Sequence, residues 1–242
     1  MQSVRMIVCK WVRRPSPAQI TRRLQTATEA STRRPSLGVA PTVSITAAII
    51  NDHRELEECY DEVVNSSDQD RRQRYGNQFT WELARHSVGE ELVLYPAFER
   101  HMGSVGHQIA ETDRKDHHEI KELLKEFQNM KSKDTNYVPK ITELWCKLEG
   151  HIKDEEDYDL PALEEKLSPD ASKSMAKSFE RTKSFAPSRS HPSAGEHPPF
   201  ETVMGLLTAP IDRLADLFRK FPDKAPQADI DKPAGPTSTL HD

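Results

Sequence analysis

Apolar residues recur at steps of three and four through the middle of the chain, the period of one helix face. Four such stripes can be followed. The first is Ile49, His53, Leu56, Tyr60 and Val63, and the second is Phe79, Leu83, His86, Glu90, Val93 and Ala97. The third is Ala110, Asp113, His117, Ile120, Leu124 and Phe127, and the fourth is Ile141, Leu144, Leu148, His151 and Glu155. They predict helices over about 44–65, 69–101, 104–130 and 138–157, with a short helix at 161–167. No alternating strand pattern competes, so the expected fold class is all-α.

The prolines mark out the same region. Of 17, only Pro96, Pro139 and Pro161 fall between residues 45 and 167. Proline removes a backbone donor and clashes inside a helix, so the long helices belong here. Pro96 is expected to kink or loosen the last turns of the second helix, and Pro139 suits the first turn of the fourth. Three parts follow: a basic leader at 1–43, a helical domain at 44–167 and a tail at 168–242. From Ser168 the composition turns to Ser, Lys and Pro, which reads as linker. An apolar island near 203–221 can form a short amphipathic helix broken at Pro210. It is expected to dock back on the domain, with a protein partner or a membrane surface as the alternatives.

Charge sharpens this division. Residues 1–44 hold seven Arg and one Lys against a single acid, Glu29. Such a start reads either as a mitochondrial transit peptide or as a disordered basic leader. The expected location is mitochondrial in the first case and cytoplasmic in the second. The net charge of −5 therefore understates the acidity of the remainder, which argues against nucleic-acid binding. No run of eighteen apolar residues is present, so no membrane span is expected. Cys9, Cys59 and Cys146 form no CxxC pair, which argues against a structural zinc site.

The stripes are interrupted by metal-capable residues. His53, His86, Glu90, His117, His151 and Glu155 all fall on apolar faces and are expected to point inward. Burying an unpaired carboxylate costs several kcal/mol or forces it to take a proton, and a bound cation removes that problem. His-x-x-x-Glu occurs twice, at His86/Glu90 and His151/Glu155. Residues four apart lie one above the other on a helix, so each pair can grip one centre or bridge two. Imidazole with carboxylate suits iron, manganese or zinc. A lone histidine on an apolar stripe is more often a core residue than a ligand, but four of them, one per helix, with two matched glutamates, point to metal. His118 replaces His117 if the third helix is rotated, and Glu156 stands in reserve for Glu155.

At these residues the sequence resembles the hemerythrin/HHE cation-binding family. The segments that carry the resemblance are NDHRELEECY, ARHSVGEELVLYPAFERHMG, DRKDHHEIKELL and GHIKDEEDYDLPALEEKL, within about residues 45–167. The tail also looks like those of fungal members. The resemblance implies an up-down-up-down four-helix bundle with two non-haem iron ions in its core. By motif, His53 matches the first-helix ligand, and His86 and Glu90 the second-helix ligand and bridging carboxylate. His117 matches the third-helix ligand, and His151 with Glu155 the fourth-helix pair. Oxygen carriers of the family have His-x-x-x-His on the third helix, where this chain has Asp113 in the upstream position. Their fourth-helix carboxylate lies five residues after the histidine, where four or five fit here.

The leading expectation is a non-enzymatic iron-binding protein that takes O2, NO or a similar small ligand for sensing, storage or buffering. A di-iron oxidase, or an enzyme that removes peroxide or nitric oxide, is the first rival. A metal-free interaction module that recruits a protein through its C-terminal helix is the second.

Overall fold

A computed structural model describes residues 44–190, Asp212, Asp216 and residues 219–223. The leader at 1–43 and most of the segment read as a helix at 203–221 lie outside the described residues. Among the described residues the secondary structure is helical throughout, with no strand. The helices are α1 (Ile45–Asn65), α2 (Gln69–Gly89), α3 (Tyr95–Phe127), α4 (Tyr137–Asp154), α5 (Leu160–Glu164) and α6 (Pro169–Phe185). Five-residue π turns join α2 to α3 at Glu90–Leu94 and α4 to α5 at Glu155–Asp159.

The four rods of the bundle cut across these labels. The first is α1. The second is α2, carried through its π turn to the start of α3. The third is the remainder of α3, and the fourth is α4 carried through to α5. Serine and aspartate begin three of the helices. Ser44 Oγ accepts from the Ala47 amide (3.1 Å), Asp68 from Asp70 (2.9 Å) and Ser168 from Ala171 (3.2 Å). Each hydroxyl or carboxylate supplies an acceptor that the first turn lacks.

Two core layers fix the direction of each rod. One layer joins Leu56 and Val63 near the end of the first rod to Phe79 and Leu83 near the start of the second. It also joins Ile120, Leu124 and Phe127, ending the third, to Tyr137, Ile141 and Leu144, starting the fourth. The other layer inverts every choice: Ile45 and Ile49 meet Leu94 and Phe98, with Ile109 and Ala110 against Leu160 and Leu163. Only alternating up and down rods place residues this way. His53, His86, Glu90, His117, His151 and Glu155 occupy the level between the layers.

The second and third rods are two helices that meet at a sharp kink at Gly103. Its backbone (φ 60, ψ −132) is the single non-helical point inside α3. A side chain is strained there, since Cβ clashes with the backbone at positive φ. Gly106 lies just beyond, where an added methyl would land on the Phe98 carbonyl.

One expectation is refined and two are corrected. The last turns of the second rod are loosened beside Pro96, whose nitrogen has no hydrogen to donate within the rod. The loosened turn is the π segment before it, in which the Tyr95 amide reaches back five residues to the Glu90 carbonyl. That extra residue shifts the buried face from the expected Val93 to Leu94, Tyr95 and Phe98, which are fully buried while Val93 is only partly so. Finally, the stretch read as linker after Ser168 is helical in part. α6 packs on the bundle through Ala176 and Phe179, and its Ser172 hydroxyl accepts from the Ile45 amide (3.0 Å).

Part of the tail beyond α6 also meets the bundle. The Phe221 and Lys220 carbonyls accept from Arg74 (2.9 Å) and Asn77 (2.8 Å) of α2. No helix among the described residues is long and apolar enough to cross a membrane.

Candidate metal centre

All six sequence-predicted residues meet at the level between the two core layers. His53, His86, Glu90, His117, His151 and Glu155 are each at most 3% exposed. Each rod brings one histidine, and the second and fourth rods each add the glutamate one helical turn later. Both glutamates open a π turn, a feature that often accompanies functional sites.

The inward atoms divide into two sets. On one side, His86 Nε2 lies 3.1 Å and His53 Nε2 4.0 Å from Glu90 Oε1, and His53 Nε2 is 3.5 Å from Glu155 Oε2. On the other side, His117 Nε2 lies 3.2 Å from Glu90 Oε2, and His151 Nε2 is 3.7 Å from Glu155 Oε1. The two Nε2 atoms of this second set are 3.1 Å apart. Each glutamate thus turns one oxygen to each side, and each half-site has two imidazole nitrogens and two carboxylate oxygens. Donors that share a cation at about 2.0–2.2 Å stand roughly this far from one another.

The fit to a cation rests on what these atoms lack. His53 Nε2, His86 Nε2 and both oxygens of Glu90 and Glu155 are buried without a hydrogen-bond partner. Such a cluster is rare, because buried polar groups are nearly always paired and an uncompensated buried charge is costly. A surface group, Glu99, His107 and Glu111, also has ligand-like spacing. There Arg114 already binds both carboxylates (3.0 and 2.8 Å), so no ion is called for.

The other ring nitrogens are held from behind. His53 Nδ1 donates to Glu156 (2.8 Å), which Arg54 neutralises (2.6 Å). His117 Nδ1 donates to Glu91 (2.9 Å), which Lys121 neutralises (2.6 Å). His86 Nδ1 faces Asp52 (3.2 Å), which Lys183 of α6 binds at 2.7 Å through both oxygens. His151 Nδ1 faces Asp113 at a looser 4.0 Å. Three of the four histidines therefore have a carboxylate bonded to Nδ1, which fixes the ring and turns Nε2 inward, while His151 Nδ1 has no hydrogen-bond partner.

The residues left as alternatives in the sequence are placed differently. His117 is buried and His118 exposed. Glu155 faces inward and Glu156 backs His53. Asp113 is buried, with Oδ1 4.0 Å from His151 Nδ1. Asp52, Glu91 and Lys183 were missed, as was Tyr95, whose hydroxyl lies 2.9 Å from His117 Nε2. A signal for three of these was present. Residues 86–99 and 151–164 both read H-x-x-x-E-E-x-x-x-x-P-A-x-E, so Glu91 and Glu156 are counterparts, and Tyr95 is the polar exception opposite Leu160. Asp52 had a weaker mark, its place beside His53.

Without a cation the groups compete for protons. Burial alone lowers His86, but the charge of Glu90 and the bond to Asp52 outweigh it and raise His86 to about 10. Against the same burial, Glu90 and Glu91 raise His117 to about 9. Burial, then the Glu90 charge, raises Glu155 to about 7. Burial and the charge of Glu155 push Asp113 well above the usual carboxylate range. Burial and His117 hold His151 well below its ordinary value, so it is neutral above pH 7.

A pH dependence follows. From pH 6.5 to about 9–10 the folded, metal-free protein holds protons on His86 and His117 that the unfolded chain has released. Their contribution to stability is complete below 6.5 and lost as pH rises through that window. Glu155, raised from 4.5, adds the same sign between there and about 7. The chelated protein should therefore melt at lower temperature at pH 9 than at pH 7. Metal-loaded protein should not, because the cation replaces those protons. Circular-dichroism melts of both forms check this, and a flat profile for the chelated form would count against it.

Comparison with known proteins agrees with this geometry. The profile of the hemerythrin HHE cation-binding domain matches residues 44–163. A hemerythrin-like protein of Schizosaccharomyces pombe is 51% identical over 178 residues, which is 74% of this chain and 88% of that protein. No solved structure matches the chain. With that matched segment spanning all four rods and all six inward residues, the chain belongs to the hemerythrin HHE cation-binding family.

Proposed function

We propose that this protein holds two non-haem iron ions in its core and uses them to bind O2, NO or a similar small ligand, for sensing, storage or buffering. The observation that carries this reading is the division of eight buried donor atoms into two matched sets of four. His53 and His86 would hold one ion and His117 and His151 the other, with Glu90 and Glu155 bridging. An all-nitrogen-and-oxygen donor set of this kind suits iron, and four protein donors per ion leave room for an outside ligand. The bound pair supplies an electron-rich site for a diatomic molecule. The chain does the rest: the Nδ1 carboxylates orient the rings, and Leu83, Ile120, Leu144 and Leu148 exclude water around them. The departure from the oxygen carriers at Asp113 removes one nitrogen from the second half-site, so the two halves match each other in protein nitrogens.

A second reading is an enzyme that removes peroxide or nitric oxide, and Tyr95 favours it. Its buried hydroxyl reaches the second half-site, and burial with the charge of Glu90 keeps it protonated, so it can donate a proton there. One experiment separates the two. Protein loaded anaerobically with Fe(II) and exposed to NO should show a stoichiometric visible absorption change that reverses when the gas is removed. It should turn over hydrogen peroxide no faster than free iron. No gas-dependent change would contradict ligand binding, and fast turnover would move the assignment to the enzyme.

A further inference from the structure

The two halves of the centre are nearly equivalent in their donors but not in what lies behind them. Asp113, behind His151, has no described cation on it, and its Oδ2 is without a partner. Asp52, behind His86, is gripped by Lys183 at 2.7 Å on both oxygens. Lys183 is only 6% exposed, and it comes from α6, which lies beyond the segment matched by the family profile.

α6 reaches His86 by a second route. Phe179 meets the His86 ring edge-on, with centroids 6.0 Å apart. It can do so because residue 89 is glycine: a Cβ there would stand 2.7 Å from the Phe179 ring. Arg85 Nε then donates to the Lys183 carbonyl (2.8 Å), tying the end of α6 to α2. The same helix thus places an apolar edge on the imidazole and a cation on its carboxylate.

Lys183 matters because of what surrounds Asp52. The Asp52 carboxylate borders a cleft of about 580 Å³ between α1, α2 and α6, also lined by Glu55, Glu82 and Trp81. Solvent entering that cleft would compete for the Asp52 carboxylate, and the charges of Glu55 and Glu82 would repel it. A two-oxygen grip by a buried ammonium opposes this and leaves Asp52 Oδ2 aimed at His86 Nδ1. Carboxylates behind ligating histidines fix ring orientation and basicity, and their loss weakens metal binding about 10–100-fold.

We propose that α6 completes one half of the metal centre, with Lys183 as the positioning residue that holds Asp52 on the His86 imidazole. The inference rests on the reading of the six inward residues as ligands of a metal pair. It makes the protein's tail part of the centre, so that loss of α6 loosens one ion and spares the other.

Anaerobic titration of the full-length chain with Fe(II), followed by calorimetry, tests it. The wild type should bind two ions. Lys183→Met should weaken one of them roughly tenfold, towards the lower end of the range for such outer groups, and leave the second unchanged. Added to His86→Ala, the same substitution should change nothing further, because the half-site it serves is already broken. The double variant Asp52→Asn/Lys183→Met has no unpaired buried charge and should show the same one-ion loss, which keeps the test available if the single variant does not fold. A Lys183→Met protein that melts earlier yet binds both ions like the wild type would overturn the inference, leaving Lys183 as a pin for the helix. Equal weakening of both ions would overturn it too. A wild type that binds no iron would sink the metal-pair reading itself and the inference with it.

Discussion

Glu90→Ala is expected to cost the protein both metal ions, where His86→Ala costs chiefly one. The reason is the split of the Glu90 carboxylate, with Oε1 towards His53 and His86 and Oε2 towards His117. Removing it takes a donor from each half-site at once and a negative charge from between them. Outer-shell losses alone weaken metal binding about 10–100-fold, so loss of a bridging ligand should exceed ~100-fold at both ions. The fold should survive. Burial pushes the Glu90 carboxyl up, but His86 and His117 hold it well below the usual range. Without it those imidazoles can shed their protons and remain as neutral core groups. Elemental analysis after gel filtration, with a melt of the chelated variant as control, measures both points. Retention of one full equivalent of metal would contradict the bridging role.

Gly106→Ala is the largest expected effect on stability that leaves the centre's chemistry untouched. The added methyl would collide with the Phe98 carbonyl and lie 2.9 Å from Met102 Cβ. Phe98 is fully buried in the core layer below the centre, so its backbone has little freedom to retreat. Overpacking of a tight interior costs about 1–3 kcal/mol, sometimes more, and a clash with backbone belongs at or above the upper end of that range. A chain of this domain size should then melt roughly 6–12 °C lower. The reversal at Gly103 would have to open to relieve the contact. A melting temperature within a degree or two of wild type would show that this corner is looser than described.

The four rods and six inward residues were legible because each rod buries one stripe, and a stripe of period 3.6 survives substitution of a leucine by a histidine or glutamate. What escaped has physical causes. The π turns carry no residue preference of their own, so a constant helical period put Val93 on the inner face and missed Tyr95. A period count restarted after Glu90 would have found it. α6 was read as linker because two of its buried positions are Ser172 and Lys183. Their partners are the Ile45 amide and Asp52, more than a hundred residues away. Polar burial of that kind leaves no apolar pattern to detect. The carboxylates behind the histidines lie beside ligands in sequence, but only the packing of separate rods shows which imidazole each one serves.

The number of iron ions held per chain is the most direct test of this centre. Full-length protein saturated with Fe(II) without oxygen, desalted and analysed for metal should contain two ions per chain, and its melting temperature should rise on loading, since a ligand that binds only the folded state stabilises it. A chain that retains no metal and melts at the same temperature with or without iron would contradict the account.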